Sequence, residues 1–527
     1  MKMDFLQIAS SMIGGLFTIL FLCKLSLLIS NKISNKKKSH LQEPPQPSGA
    51  LPIIGHLHLL KRRRSLVLYL ADLADELGPI FTLRVGSRRI VILSNSETAK
   101  DSFTTCDKAL SNRPISTIGD LMGYNRSMIL FAPYGPYWRA VRRIATTELL
   151  SNSHLNALSR VVIKEVYICI KGLFSQYTSN NMQPIKVEMM SWLGDINYNV
   201  VLDMIVSKLY FRSGNGGVVS EDFFKFRKAL RDFVRLVGAF IPGDMFPFLK
   251  WFDFGGYKKV MRSAFKDIDS VLSALLEDHK QRRLFRKESD DLDFMDVVLT
   301  AMDDPEFSEY DQDTVTKATC LSMIMGGTHT TTLYLIWTLA LLLNNRPVMD
   351  KVRSEIDEKV GKERLVEQSD IKNLVYWSAV VKEAFRLCPA GELMVSREAS
   401  EDCQISGYHI PKGYYVAVNV WKVQRDPVVW PDPLEFKPER FLTTHKGIDV
   451  RGQHYELLPL RAGRRACPGG SFSIQVMDLV MTRLIQAFDL ETPGKVPVEI
   501  NQSLGLLNVK SMEVMLTPRL SPTLYVL

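Results

Sequence analysis

Leu458-Pro-Leu-Arg-Ala-Gly-Arg-Arg-Ala-Cys467-Pro-Gly469 decides the reading of this chain, because it delivers one cysteine to the start of a long apolar segment. Beyond it Phe472, Ile474, Val476, Met477, Val480, Met481, Leu484 and Ile485 recur at the spacing of a helix buried on most sides. The sulfur of Cys467 is therefore expected at a helix N-terminus, with Pro468 in the first turn. There the helix dipole and unsatisfied N–H groups favour a thiolate, and Arg464 and Arg465 add positive charge. A thiolate so placed is a nucleophile or a metal ligand; the plainer alternative is a small buried hydrophobe, a common fate of a free cysteine.

The spacing of Gly463, Arg465, Cys467 and Gly469, Gly-x-Arg-x-Cys-x-Gly, resembles the haem-binding loop of the cytochrome P-450 superfamily. The resemblance implies that Cys467 is the axial ligand of a haem b iron and that Arg465 pairs with a propionate. It also implies that Gly463 and Gly469 let backbone pass close to the porphyrin. Two positions depart from that pattern: Leu460 stands where the family has an aromatic residue, and Arg461 where it has glycine. Both bear on the surroundings of the sulfur.

The rest of the composition suits a globular body, with 46% hydrophobic and 23% charged residues among 527. A net charge of +9 suits an anionic membrane surface or an acidic partner protein. No nucleic-acid motif accompanies it, and nucleic acid is not expected as a partner. The cysteines Cys23, Cys106, Cys169, Cys320, Cys388, Cys403 and Cys467 lack paired spacing, which argues against a disulfide framework or zinc ribbon and for a reducing compartment.

An apolar run from Phe5 to Ile29 is long enough to cross a hydrocarbon core of about 30 Å. A cleaved signal peptide is the alternative, but the run exceeds a normal h-region. Lys32, Lys36, Lys37 and Lys38 follow it and favour an uncleaved anchor with a cytosolic body. The expected organisation is a transmembrane anchor over 1–30, a basic and proline-rich hinge over 31–55 that includes Pro44-Pro-Gln-Pro47, and a catalytic domain over 56–527. The fold class is mainly α with small β-sheets: two strands are expected between Ile80 and Leu93, a hairpin over Ile405–Gly413 and a strand over Tyr414–Val420.

Helical spacing from Pro136 places Trp138, Val141, Ala145 and Leu149 on one face, with Arg142 one turn from Trp138. A second helix is expected from about Asp311 to Asn344 and carries Met325-Gly-Gly-Thr-His-Thr-Thr331. Adjacent glycines inside a helix cost about 1 kcal/mol each against alanine and so mark a packing or functional need. Glu383 and Arg386 lie one turn apart on another helix, a weak signal alone.

Beside these residues stands the resemblance, which covers nearly the whole chain. It implies a cytochrome P-450 fold, a single haem-thiolate domain behind an N-terminal transmembrane helix in the endoplasmic reticulum membrane. Trp138, Arg142 and Arg397 then hold propionates, and Glu383, Arg386 and Arg440 form a structural lock. The glycine-rich helix resembles the oxygen-activating helix of the family, with His329 in place of the usual acid and proton relay through Thr330. Glu392, Leu393, Met394, Gly326 and Leu506 fall where substrate is held. Arg139, Arg142 and Arg143 form a candidate docking surface for an acidic reductase that brings electrons from NADPH.

Runs such as Glu401–Gly413 and Asn419–Pro427 look like one plant P-450 family, which includes nicotine N-demethylases, a tropinone-forming oxidase, benzylisoquinoline alkaloid hydroxylases, homoterpene synthases, and coumarin and flavone hydroxylases. The implied function is a monooxygenase of a small specialised metabolite. Glu392, where the family often has proline, is expected to pair with a cationic amine of an alkaloid or else to be paired within the protein or solvated. Terpenoid, coumarin or flavone substrates remain the alternative, as does a haem isomerase or dehydratase that takes no reductase electrons.

Overall fold

The computed structural model describes residues 42–61, 65–207, 221–285, 292–394, 396–499 and 512–526. The expected anchor, part of the hinge and Leu506 lie outside them. Among the described residues no helix is long and apolar enough to cross a membrane. The described part of the hinge is extended and pinned to the body: Thr82 N–H donates to Pro45 O at 2.8 Å and His409 N–H to Gln42 O at 2.8 Å.

The elements that place the site run in chain order: helix α1 (Leu66–Leu77), strands β1 (Ile80–Val85) and β2 (Arg88–Leu93), and helices α2 (Ser96–Phe103), α3 (Pro136–Ile144) and α4 (Asn152–Ser179). Strand β3 (Ile185–Glu188) precedes helices α5 (Met189–Val206), α6 (Glu221–Val237), α7 (Tyr257–Leu284), α8 (Gln312–Asn344), α9 (Arg346–Lys359) and α10 (Val375–Leu387). Strands β4 (Arg397–Glu398), β5 (Cys403–Ile405), β6 (Tyr408–Ile410) and β7 (Tyr415–Val418) follow, then helix α11 (Gly470–Ala487) and strands β8 (Phe488–Glu491) and β9 (Glu513–Pro518).

The strands make three small sheets. The first has order β1-β2-β7-β4, with β1 antiparallel to β2 from Ile80 opposite Leu93 and β2 parallel to β7 from Ile90 opposite Tyr415. The others are β3-β9-β8 and the hairpin β5-β6. Strands and hairpin fall within three residues of where alternation and turn chemistry put them.

The helices enclose the main core, and α8 is its axis, packed against α5, α7, α10 and α11. It starts where expected because the Asp311 carboxylate accepts the Thr314 N–H at 2.9 Å, an N-cap that satisfies a first-turn donor. Its two glycines answer different needs. A Cβ on Gly327 would lie 3.1 Å from Val201 on α5, whereas one on Gly326 would meet nothing within 4 Å. Gly327 thus permits close helix packing, and Gly326 opens a space. Asn197 of α5 ties the two helices, its amide donating to Gly327 O at 3.0 Å and to Thr332 Oγ1 at 3.1 Å.

Candidate active site

The cysteine loop closes on itself before α11 begins. Cys467 N–H donates to Leu460 O at 2.9 Å, and the left-handed Gly463, φ 69°, leaves room for the Asp107 carboxylate to accept the Arg464 N–H. Gly469 caps α11, so Pro468 lies outside the helix and not in its first turn. Gly469 N–H does reach the sulfur, as a helix N-terminus should provide, but burial outweighs it and pushes the Cys467 thiol pKa up. The positive charges that favour the thiolate are Arg461 and Arg142. Arg464 and Arg465, expected in that role, are engaged elsewhere: Arg464 pairs with Asp107 at 2.8 Å, and Arg465 donates to the carbonyls of Ser111, Ile129 and Ala132.

Although burial dominates its thiol, Cys467 keeps free surface. Both hold when a sulfur deep in the molecule faces an internal space. The glycine segment of α8 abuts the start of α11, with Thr331 Oγ1 donating to Ser473 Oγ at 3.2 Å and Gly327 facing Phe472. Gly326, exposed within that helix, opens onto free space as well.

Guanidinium groups crowd around the loop. Trp138 lies between two of them, with Arg142 at 5.2 Å and Arg465 at 4.3 Å from its ring centre, while its Nε1 donates to Ile129 O at 3.0 Å. Arg142 also donates to Ala466 O at 2.7 Å, so it faces inward and is not part of a reductase-docking surface. Arg143 pairs with Glu306, and Arg139 lies over Tyr134. Arg397 of β4 contacts Asp107 at 3.2 Å and Ala462 O at 3.2 Å, leaving its buried Nε without a hydrogen-bond partner. Arg113 is depressed first by burial, then by Arg461, Arg465 and Arg397. Guanidinium groups nevertheless stay charged near neutrality.

On α8 the His329 ring faces α5: Tyr198 Oη is 3.2 Å from Nδ1, and Thr328 Oγ1 is 3.3 Å from it. Thr330 Oγ1 instead donates back to Gly326 O at 2.6 Å. Burial, helped by Arg231 and Arg227, pulls the His329 pKa down to about 4, so the ring is neutral at physiological pH. Arg227 lies over Tyr198 at 5.0 Å and pairs with Asp195.

The segment after α10 separates the expected substrate residues. Glu392 is raised to about 7 by burial, and the cation it faces is Arg425. Met394 is buried against the β2–β7 layer, while Leu393 bridges to Asn419 and packs toward α1. The lock is complete: fully buried Glu383 accepts from Arg386 through two 2.8 Å bonds, from Arg440 Nε at 3.1 Å and from Lys437 N–H at 3.0 Å.

Several of these contacts were not signalled locally. Asp107 gathers Arg397, Arg464 and the Gly463 turn across some 290 residues or more. Asn197 and Tyr198 carried a usable signal, a run of polar side chains through Asn199 that is buried in helix α5.

The sequence profile of the cytochrome P450 family matches residues 44–516, and the chain belongs to that family. It is 41% identical, over the full length of both chains, to a strychnine-10-hydroxylase of Strychnos nux-vomica. Identity is 42% to a flavonoid-6-hydroxylase of Ocimum basilicum, covering 94% of this chain and 95% of that one. A zebra fish cytochrome P450 solved with abiraterone shares the fold, with TM-score 0.71 over 87% of this chain and all of that one at 22% identity.

The enzyme is an oxidoreductase of the P450 monooxygenase class, using haem b and electrons from an NADPH-dependent reductase. The residues present fit that group. A sulfur faces an internal space, and beside it stand buried guanidinium groups, with Asp107 ion-paired to Arg397 and Arg464. An iron porphyrin with two carboxylates is the complement of that donor set.

Proposed function

We propose that this enzyme hydroxylates a small specialised metabolite of the alkaloid class. The observation that carries the reading is the end-to-end match, at 41% identity, to a hydroxylase of strychnine. Cys467 would hold the haem iron, with Arg397, Arg142 and the neighbouring Arg113 and Arg465 receiving its propionates. Bound there, the haem supplies oxygen insertion into a C–H bond, with a thiolate that favours O–O cleavage.

The chain's own part is placement and proton handling. Gly326 leaves the open space beside α8. Neutral His329, in contact with Tyr198, can pass a proton between its two nitrogens, and Thr330 stands next to it on the helix. Glu392 opposes Arg425, which offsets part of its burial; an amine would compete with that arginine for the same carboxylate.

The body is further proposed to rest on the endoplasmic reticulum membrane, with residues 1–30 as its anchor and catalysis on the cytosolic side. Phe248, Trp251, Phe252 and Phe254 are exposed between α6 and α7, with Lys250 among them and Lys258 and Lys259 in the first turn of α7. The β1–β2 turn links the start of that region to the hinge, since Ser87 N–H donates to Met245 O and Gly86 N–H to Ile54 O. Quenching of Trp251 fluorescence by brominated lipid, absent in Trp251→Phe, tests this face.

Substrate class is tested by the substrate-induced Soret shift of the full-length protein across alkaloids and flavonoids, followed by product analysis with reductase and NADPH. A spin shift and oxidised product with amines supports the alkaloid reading. Turnover of flavonoids alone would replace it with the second reading, which the flavonoid-6-hydroxylase match favours.

A further inference from the structure

Arg461 occupies a backbone conformation that resists it. Its φ of 65° lies in the left-handed region, where any residue with a Cβ is disfavoured and glycine is not. The surrounding loop enforces it: Arg461 N–H donates to Leu458 O at 3.1 Å, and Gly452 is pressed against the Arg461 carbonyl. Such strain persists where neighbours over-determine it, and it concentrates at functional positions.

The side chain then runs inward. A guanidinium nitrogen of Arg461 comes to 3.1 Å from the Cβ position of Gly391, in the segment that follows α10. Burial pulls the Arg461 pKa down, and Cys467 and Tyr334 oppose that. Among the described residues no carboxylate lies within ion-pair distance of it, in contrast to Arg464, Arg397 and Arg440, each of which has one. Unlike those structural pairs, Arg461 has no carboxylate partner among the described residues, and the loop keeps it beside the cysteine, whose N–H donates at 2.9 Å to the carbonyl of the preceding Leu460.

We propose that Arg461 is a potential-setting residue: its fixed positive charge, carried inward from the loop that would hold a haem at Cys467, makes the iron easier to reduce. This rests on Cys467 being the ligand. The step concerned is the addition of one electron, delivered by the reductase, to ferric iron to give ferrous iron. That step lowers the charge of the site by one with no proton or bond change, so a nearby cation favours its product.

The test is spectroelectrochemical titration of the full-length haem-loaded protein, comparing the parent with R461Q, R461G and R461K. Glycine suits the left-handed backbone, so R461G keeps the loop intact if glutamine does not. At the parent's midpoint, the ferrous-to-ferric ratio is expected to fall about tenfold in R461Q and R461G, a shift of about 59 mV for one electron, and to be retained in R461K. An unchanged midpoint in R461Q and R461G with an intact thiolate-type ferrous carbonyl band overturns the proposal. So does loss of haem with the remaining fraction at the parental potential, which would make Arg461 an anchor for the group. Absence of the thiolate-type band in the parent itself would instead remove the Cys467 reading on which the proposal stands.

Discussion

Asp478 offers a test of the core beneath the cysteine loop. It sits on α11, buried, and accepts the Trp377 Nε1–H of α10 at 2.8 Å, so it joins the helix that follows Cys467 to the helix of the Glu383 lock. Burial raises its pKa to about 7, and the single hydrogen bond from Trp377 only partly opposes this. The folded protein therefore binds this proton more tightly than the unfolded chain, whose aspartates titrate near ~3.9. Stability is full below that value and falls as pH rises toward 7. At ~1.36 kcal/mol for each tenfold change in proton affinity, the loss reaches ~4 kcal/mol above pH 7.

Asp478→Asn keeps an oxygen for Trp377 and has no charge to bury. It should be nearly neutral at pH 4 and should gain up to ~4 kcal/mol over the parent at pH 8. With an unfolding entropy of ~2 cal/mol/K per residue, that is a rise in Tm of ~3–4 °C for a chain of 527 residues. Differential scanning fluorimetry of both proteins from pH 4 to 8 reads it. A Tm difference that does not change with pH, or one that shrinks as pH rises, refutes the reasoning.

Glu383→Gln leaves Arg386 and Arg440 without their shared carboxylate; the expected loss is ~3–5 kcal/mol, measured as reduced thermal stability and haem retention. His329→Leu removes a ring held neutral by a pKa of about 4. Because that value lies below the ordinary one, the parent loses stability as pH falls from ~6.5 toward 4; the variant should lack this loss, as the two Tm profiles will report. In turnover the same variant should waste NADPH as peroxide, with product per NADPH falling at least ~10-fold. Glu392→Gln removes an anion facing Arg425. Weaker spin shifts for amines with neutral ligands unaffected would place substrate at that carboxylate, and equal shifts for both would assign it to Arg425 alone.

What could be read from the sequence follows from where information sits along a chain. The extent of α8 was legible because Asp311 is a local cap and apolar residues flank the Gly326–Thr332 run on both sides as far as Leu343. Cys467 was legible through glycines and an arginine within six residues of it, and β1 and β2 through simple alternation. Asp107 was not, since nothing near it shows that it will receive Arg397 and Arg464 from far down the chain. Arg142 was read both as a propionate partner, by resemblance, and as part of a docking face; helical spacing gives a face but not what covers it, and Trp138 and the Ala466 carbonyl do. The thiolate preference expected at a helix N-terminus yielded to burial, a tertiary quantity with no local signature.

The account turns on Cys467 as the ligand of the haem iron. The ferrous carbonyl difference spectrum of the full-length protein, beside that of Cys467→Ser, tests it most directly. A thiolate-type Soret band in the parent that is lost in the variant is the predicted result; the same band in both would place the ligand on another cysteine and contradict the account.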